Sequence, residues 1–150
     1  MSEMRPTQDE RLMAALAHAS IILGPFTSGV GGIVAALVIW LTQREKSKYV
    51  AFQALQAVAY QGVGVVLGII GWGCYICGIF GSLIPVFIHP RAYQHAPPPP
   101  TFWAAMCLLP LIFVALGIFA LYGLWAAWCA WQGRDFRYVV LGRMLEGYLG

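Results

Sequence analysis

Residues 50–88 run for 39 positions without a formal charge. Wound as a helix, such a run measures about 58 Å at 1.5 Å per residue. That is nearly twice the roughly 30 Å of hydrocarbon in a bilayer, yet too short for two crossings and a turn. Residues 102–131 form a second uncharged run. Composition shows that neither can be hidden inside a water-soluble globule. Apolar residues make up 60% of the 150-residue chain and charged residues only 10%, with a mean hydropathy of +0.72. Soluble domains stand nearer 45–50% apolar and about 25% charged. So few charges cannot wet the surface of a globule this size, which excludes a cytosolic enzyme, a disordered tail and a nucleic-acid module. The net charge of +3 does not revive nucleic-acid binding, because the basic residues flank apolar runs and form no patch. The fold class that follows is all-α, an integral membrane four-helix bundle forming one domain over residues 1–150.

Local signals place the spans. Thr7 and Glu10 have the spacing of a capping box, in which the hydroxyl and the carboxylate satisfy each other's orphan amides. Residues 12–23 are then apolar apart from His18 and Ser20, and Gly24-Pro25 ends the helix. After a turn-rich stretch, residues 33–41 are apolar again, and the run closes at Thr42-Gln43 and Arg44-Glu45-Lys46-Ser47-Lys48. A short hairpin with spans at 8–24 and 27–43 fits better than one helix, which would carry Gly24-Pro25 and three further glycines at its centre. The long run divides into an interfacial or protruding amphipathic part at 49–61 and a span at 62–88, with Gly62 or Gly64 as a bend. Four consecutive prolines at 97–100 stiffen the loop that follows. The fourth span covers 102–131, with Pro110 as a bend. Residues 135–149 mix apolar residues with Arg137, Arg143 and Glu146, the pattern of a helix lying in the interface.

With four spans, Arg5, Arg11, Arg44, Lys46, Lys48, Arg134, Arg137 and Arg143 fall on one side and only Arg91 on the other. This asymmetry predicts cytoplasmic termini, and in a prokaryote an inner-membrane location. Trp40, Trp125, Trp128 and Trp131 gather at the basic boundary and Trp103 at the opposite one. The N-terminal tail carries acidic residues and no small-residue cleavage site, so the first helix is expected to stay in the mature protein.

Chemistry-bearing residues are few, and each has a plain structural reading beside a functional one. Cys74 and Cys77 have redox-pair spacing, but on an apolar helix without a neighbouring cation they read as packing residues, as do Cys107 and Cys129. His18 is the one imidazole inside a span. It is either a proton site or axial ligand for haem or a pigment, or a neutral histidine bonded to Ser20 or to the Gln53/Gln56 face. His89 and His95 lack a third ligand for a metal. Gly64-x-x-x-Gly68, followed by Gly71, Cys74, Gly78 and Ser82, forms a stripe of small residues, expected to pack against the fourth span or another copy. Gln53, Gln56 and Tyr60, with Gln61 beside them, give one polar edge at the cytoplasmic mouth, either solvated or lining a substrate or partner groove. No nucleophile–base pair, phosphate loop or metal-ligand cluster is evident, and no acidic residue lies inside a span.

Three stretches carry a family resemblance. They are Ala15-Leu16-Ala17-His18-Ala19-Ser20, residues 39–57 from Ile39-Trp40 through Lys48-Tyr49-Val50 to Phe52-Gln53-Ala54-Leu55-Gln56-Ala57, and Gly133-Arg134-Asp135-Phe136-Arg137-Tyr138 leading to Gly142-Arg143. Together they resemble a small bacterial multi-pass membrane-protein family of unknown function. That family is similar to the twenty-kilodalton channel-like subunit of the chloroplast inner-envelope protein translocon. The chain departs from its pattern at Gln53, where a histidine is usual, and at Val139, where a proline often follows the tyrosine. The resemblance implies a four-helix membrane protein with cytoplasmic termini. The expected function is a non-enzymatic accessory or scaffold subunit of a larger membrane complex, with no cofactor and with other membrane subunits or further copies as partners. A translocon-like or channel-forming component using the Gln53/Gln56/Tyr60 edge is the second expectation, and a haem- or pigment-binding subunit using His18 the third.

Overall fold

The computed structural model describes residues 6–139 and 141, and every regular element among them is helical. Helix α1 (Gln8–Ala19) starts at the capping box. The Glu10 amide donates to Thr7 Oγ1 at 3.3 Å, and the Thr7 amide donates to a Glu10 carboxylate oxygen at 2.7 Å. A 3-10 turn, Ser20–Leu23, carries the chain into the Gly24-Pro25 reversal. Helix α2 (Val30–Gln43) begins at Gly29, whose φ of 88° is left-handed. That glycine is also fixed by proximity, since a Cβ there would lie 2.8 Å from Val65 Cγ2. Helix α3 (Lys48–Ile88) is one continuous element of 41 residues, and α4 (Pro100–Trp131) has 32. The Ser47 hydroxyl accepts from the Val50 amide at 3.3 Å and donates to Glu10 at 2.6 Å, tying the starts of α1 and α3 together. At about 62 and 48 Å, both long helices exceed the bilayer core, and both are long and apolar enough to cross a membrane. The stretch at 49–61, expected as the interfacial or protruding part of a long third helix, is the first third of α3.

The helices are arranged in two compact units. The first holds α1, the 3-10 turn, α2, α3 up to Val65, α4 from Phe119 onward and the segment after it. Its interior is built from alanines, with Ala17, Ala36, Ala54 and Ala57 in one cluster packed by Ile39, Trp40 and Val58. Small side chains let helix backbones approach closely, which matters where lipid removes the hydrophobic drive to associate. The leucines and valines of α1 and α2, among them Leu12, Leu16, Val34, Val38 and Leu41, point outward. The largest fully buried side chains are His18, Gln53, Gln56 and Val50, three of them polar. Polar groups inside and large apolar groups outside reverse the soluble-protein pattern and suit a chain immersed in lipid.

The second unit runs from Val66 to Ile118 and pairs the remainder of α3 with the first part of α4. A Cβ at Gly71 would sit 3.6 Å from Ile112, and one at Gly78 3.2 Å from Ala105. A step of seven residues on each helix, in opposite senses, is the register of an antiparallel coiled coil. Trp72 meets Phe113 edge-on at 6.1 Å.

Helix α4 ends in a Schellman motif. The Gly133 amide donates to Ala130 O and the Arg134 amide to Cys129 O, with Gly133 at φ 74°. The chain does not resume a helix there. Residues 134–138 are irregular and extended, which corrects the interfacial helix expected from 135. Phe136 and Tyr138 turn inward while Asp135, Arg137 and Val139 face out, so the period of this stretch is two rather than 3.6. Of the rest of that expected helix only Leu141 lies within the described residues, and it is helical, so what is corrected is the start of the helix at 135.

Candidate functional site

In the first unit, α1, α3 and the extended segment converge on one buried network. Gln53 donates through Nε2 to Asp135 Oδ1 at 3.2 Å and to Phe136 O at 3.1 Å. Its Oε1 therefore faces His18 Nε2 at 3.0 Å as an acceptor, which puts the imidazole proton on Nε2. The bare Nδ1 accepts from the Tyr138 hydroxyl at 3.2 Å. Neutral histidine is thus held as one tautomer, with both ring nitrogens occupied. Gln56 treats the segment as a neighbouring strand would. Its Nε2 donates to Phe136 O and its Oε1 accepts from the Tyr138 amide, each at 3.1 Å. The Tyr49 hydroxyl lies 3.3 Å from both Ala130 O and Arg134 O.

Deeper in the unit, Gln61 Nε2 donates to Ser20 Oγ at 3.0 Å and to Ala17 O at 3.3 Å. The Ser20 hydroxyl faces Ala17 O at 2.7 Å and Gly32 O at 2.9 Å. Gly32 is required here because a Cβ would strike both Gln61 Oε1 and Ser20 O. Among the described residues no buried side-chain polar atom lacks a partner. Unpaired polar groups in a low-dielectric interior are costly, which is why each buried polar side chain here is matched to a partner.

An aromatic stack joins the network. The Tyr60 ring lies between Phe119, 4.0 Å away and inclined 3°, and Tyr138, 4.2 Å away and inclined 9°. Its hydroxyl donates to Phe119 O at 2.8 Å. Phe136 and Tyr122 meet Tyr138 edge-on at 5.0 and 5.6 Å. Burial pushes the Tyr138 phenol well above its ordinary value of 10.0, and Tyr60 and Tyr122 push in the same direction.

The structure thus brings together His18, Ser20, Gln53, Gln56, Tyr60 and Gln61, and of the partners the sequence offered His18 it places Gln53 against the ring. The Gln53/Gln56/Tyr60 edge is neither solvated nor an open groove, because residues 135–138 of the same chain fill it. Phe136 and Tyr138 were not singled out, although their alternation with Arg137 signals an extended stretch. Of the small-residue stripe, Gly64, Gly71 and Gly78 face α4, whereas nothing lies within 4 Å of a Cβ at Gly68. Ser82 is buried and donates to Ile79 O. Cys74 and Cys77 are exposed and line an open groove in the second unit with Ser82 and Thr101. Among the described residues no three His, Cys, Asp or Glu side chains gather as a metal site.

Over residues 9–145, from the first turn of α1 to beyond the extended segment, the chain matches the magnetosome magnetite crystal formation protein family. The chain belongs to that family. Every residue of the network falls inside the matched range, so the MamF/MmsF pattern takes in the site as well as the apolar runs. No curated protein and no solved structure matches the chain. The bacterial membrane-protein resemblance therefore resolves to the MamF/MmsF family, and the likeness to the chloroplast translocon subunit has no match behind it.

Proposed function

We propose that this protein is a non-enzymatic accessory subunit of the magnetosome membrane, acting in magnetite crystal formation with other membrane proteins. The observation that supports this most directly is that its polar side chains are spent on its own architecture. His18, Gln53, Gln56 and Gln61 all bind other groups of the chain. In this reading α3, α4 and the α1–α2 hairpin enter the bilayer from the side bearing Arg44, Lys46 and Lys48, with both termini cytoplasmic. The charge asymmetry does not depend on whether the short hairpin crosses completely. The channel alternative needs the Gln53/Gln56/Tyr60 edge as a lining, and that edge is filled. The haem alternative needs a free nitrogen on His18, and both are engaged.

Affinity purification of the tagged protein from its native membranes in mild detergent, with mass spectrometry and an absorbance scan, tests the proposal. Stoichiometric membrane partners in a colourless eluate are expected. A lone monomer, or an eluate with a Soret band, overturns it. Cysteine labelling of the 44–48 and 89–96 loops in sealed vesicles tests the topology, with opposite accessibility expected for the two.

A further inference from the structure

We propose that residues 134–138 are a releasable strap occupying a peptide-binding slot, formed by His18, Gln53, Gln56 and Tyr60, whose ligand is an extended segment with aromatic residues at alternate positions. The slot reads such a segment in three ways. Gln53 and Gln56 take the carbonyl of the first aromatic residue, and Gln56 takes the amide of the second. These contacts recognise backbone, as a neighbouring strand does. Tyr60 stacks on the second ring, and His18 accepts from its hydroxyl. The residues between and around the aromatic pair are exposed, and they add contacts at the rim, where Asp135 accepts from Gln53 at 3.2 Å and the Arg137 guanidinium lies 5.8 Å from the Phe52 ring centroid.

Three features make the strap separable from the bundle. Beyond the helix cap, its one backbone–backbone bond among the described residues is local, from the Phe136 amide to Arg134 O. Its hydrogen bonds to α1 and α3 among the described residues run to side chains, which let go by changing rotamer without unwinding any helix. The joint to α4 is Gly133 at φ 74°, a residue whose backbone rotates with little steric restriction. The vacated slot is lined by amide and imidazole groups that water satisfies, so opening it does not strand polar atoms in a dry cavity. Release is then a local opening below global unfolding. The inference is independent of the proposed function, because it concerns the chain's own segment.

Hydrogen–deuterium exchange on the full-length protein in nanodiscs tests it. The strap amides are expected to exchange at least about tenfold faster than the α3 amides around Gln53 and Gln56. Tyr138→Phe keeps the ring stack and removes only the bond to His18, so it should accelerate strap exchange about tenfold and leave α1 and α3 unchanged. A synthetic peptide of residues 134–139, in excess, should also accelerate strap exchange by taking the slot. The same peptide with Phe136 and Tyr138 both replaced by serine should not. Strap amides that exchange only in step with α3, or a native-sequence peptide without effect, overturn the proposal.

Discussion

Gly64 and Gly68 lie four residues apart on the same uncharged helix, so a Gly-x-x-x-Gly reading treats them alike. Their surroundings differ. A Cβ at Gly64 would lie 2.5 Å from Phe119 Cε1 and 2.8 Å from its Cζ, whereas at Gly68 nothing lies within 4 Å. Any gain from replacing glycine by alanine in a helix, at most about 1 kcal/mol, is common to both positions and cancels in the comparison. What remains is the cost of overpacking at Gly64, typically about 1–3 kcal/mol. Phe119 has little freedom to yield, because its ring is stacked on Tyr60, which is stacked in turn on Tyr138. Gly64→Ala should therefore be less stable than Gly68→Ala by about 1–3 kcal/mol, with Gly68→Ala at or above the parent. Reversible unfolding in mixed micelles, followed by tryptophan fluorescence, measures the difference. Equal losses at the two sites would refute the reasoning, since they would mean that the glycines act as one contact surface, as in a packed dimer.

Other substitutions probe the network. Gln56→Leu leaves Phe136 O with its Gln53 donor but orphans the buried Tyr138 amide. It should cost about 1–3 kcal/mol in the same unfolding assay. Gln61→Leu leaves Ser20 its carbonyl acceptors and should cost only about 1 kcal/mol. Gly32→Ala, which meets a backbone carbonyl that cannot swing away, should cost more than Gln61→Leu in that assay. The fold favours the neutral Tyr138 phenol, so strap docking is fully present below the ordinary tyrosine value of 10.0 and weakens as pH rises above it. Strap exchange, corrected for its intrinsic pH dependence, should therefore rise between about pH 9 and 11 in the parent and rise less steeply in Tyr138→Phe, where Tyr49 and Tyr60 remain to titrate.

Much of this architecture was legible in the residues. The capping box at Thr7 and Glu10, the stop at Gly24-Pro25 and the two uncharged runs set the helices close to their observed limits, because each is a local signal. The polar members of the network are legible as residues, and the bond from His18 to the Gln53/Gln56 face is one of the readings the sequence offers, but the remaining pairs are not legible. Helical periodicity gives the face on which Gln53 or Gln61 lies, not the group across from it. The same blindness applies to Gly68. Four residues advance a helix by about 40° past a full turn, while seven return it within about 20°. Contact with a neighbour therefore follows the step from Gly71 to Gly78 and passes Gly68 by. The expected helix starts too early, at 135, because apolar and charged residues mixed over 15 positions look amphipathic, although Phe136, Arg137 and Tyr138 already alternate.

The bond from Tyr138 to His18 joins residues 120 positions apart. A ribosome makes His18, Gln53 and Gln56 long before it makes Phe136 and Tyr138, so the buried polar groups of α1 and α3 enter the membrane without their final partners. Until residues 136–138 emerge, these groups must be served by water, by lipid headgroups or by an insertion factor. The order of synthesis thus makes the segment after α4 the step that closes the interior of the first unit. A message truncated shortly after the codon for Gly133 would yield helices α1 to α4 and an unfinished core.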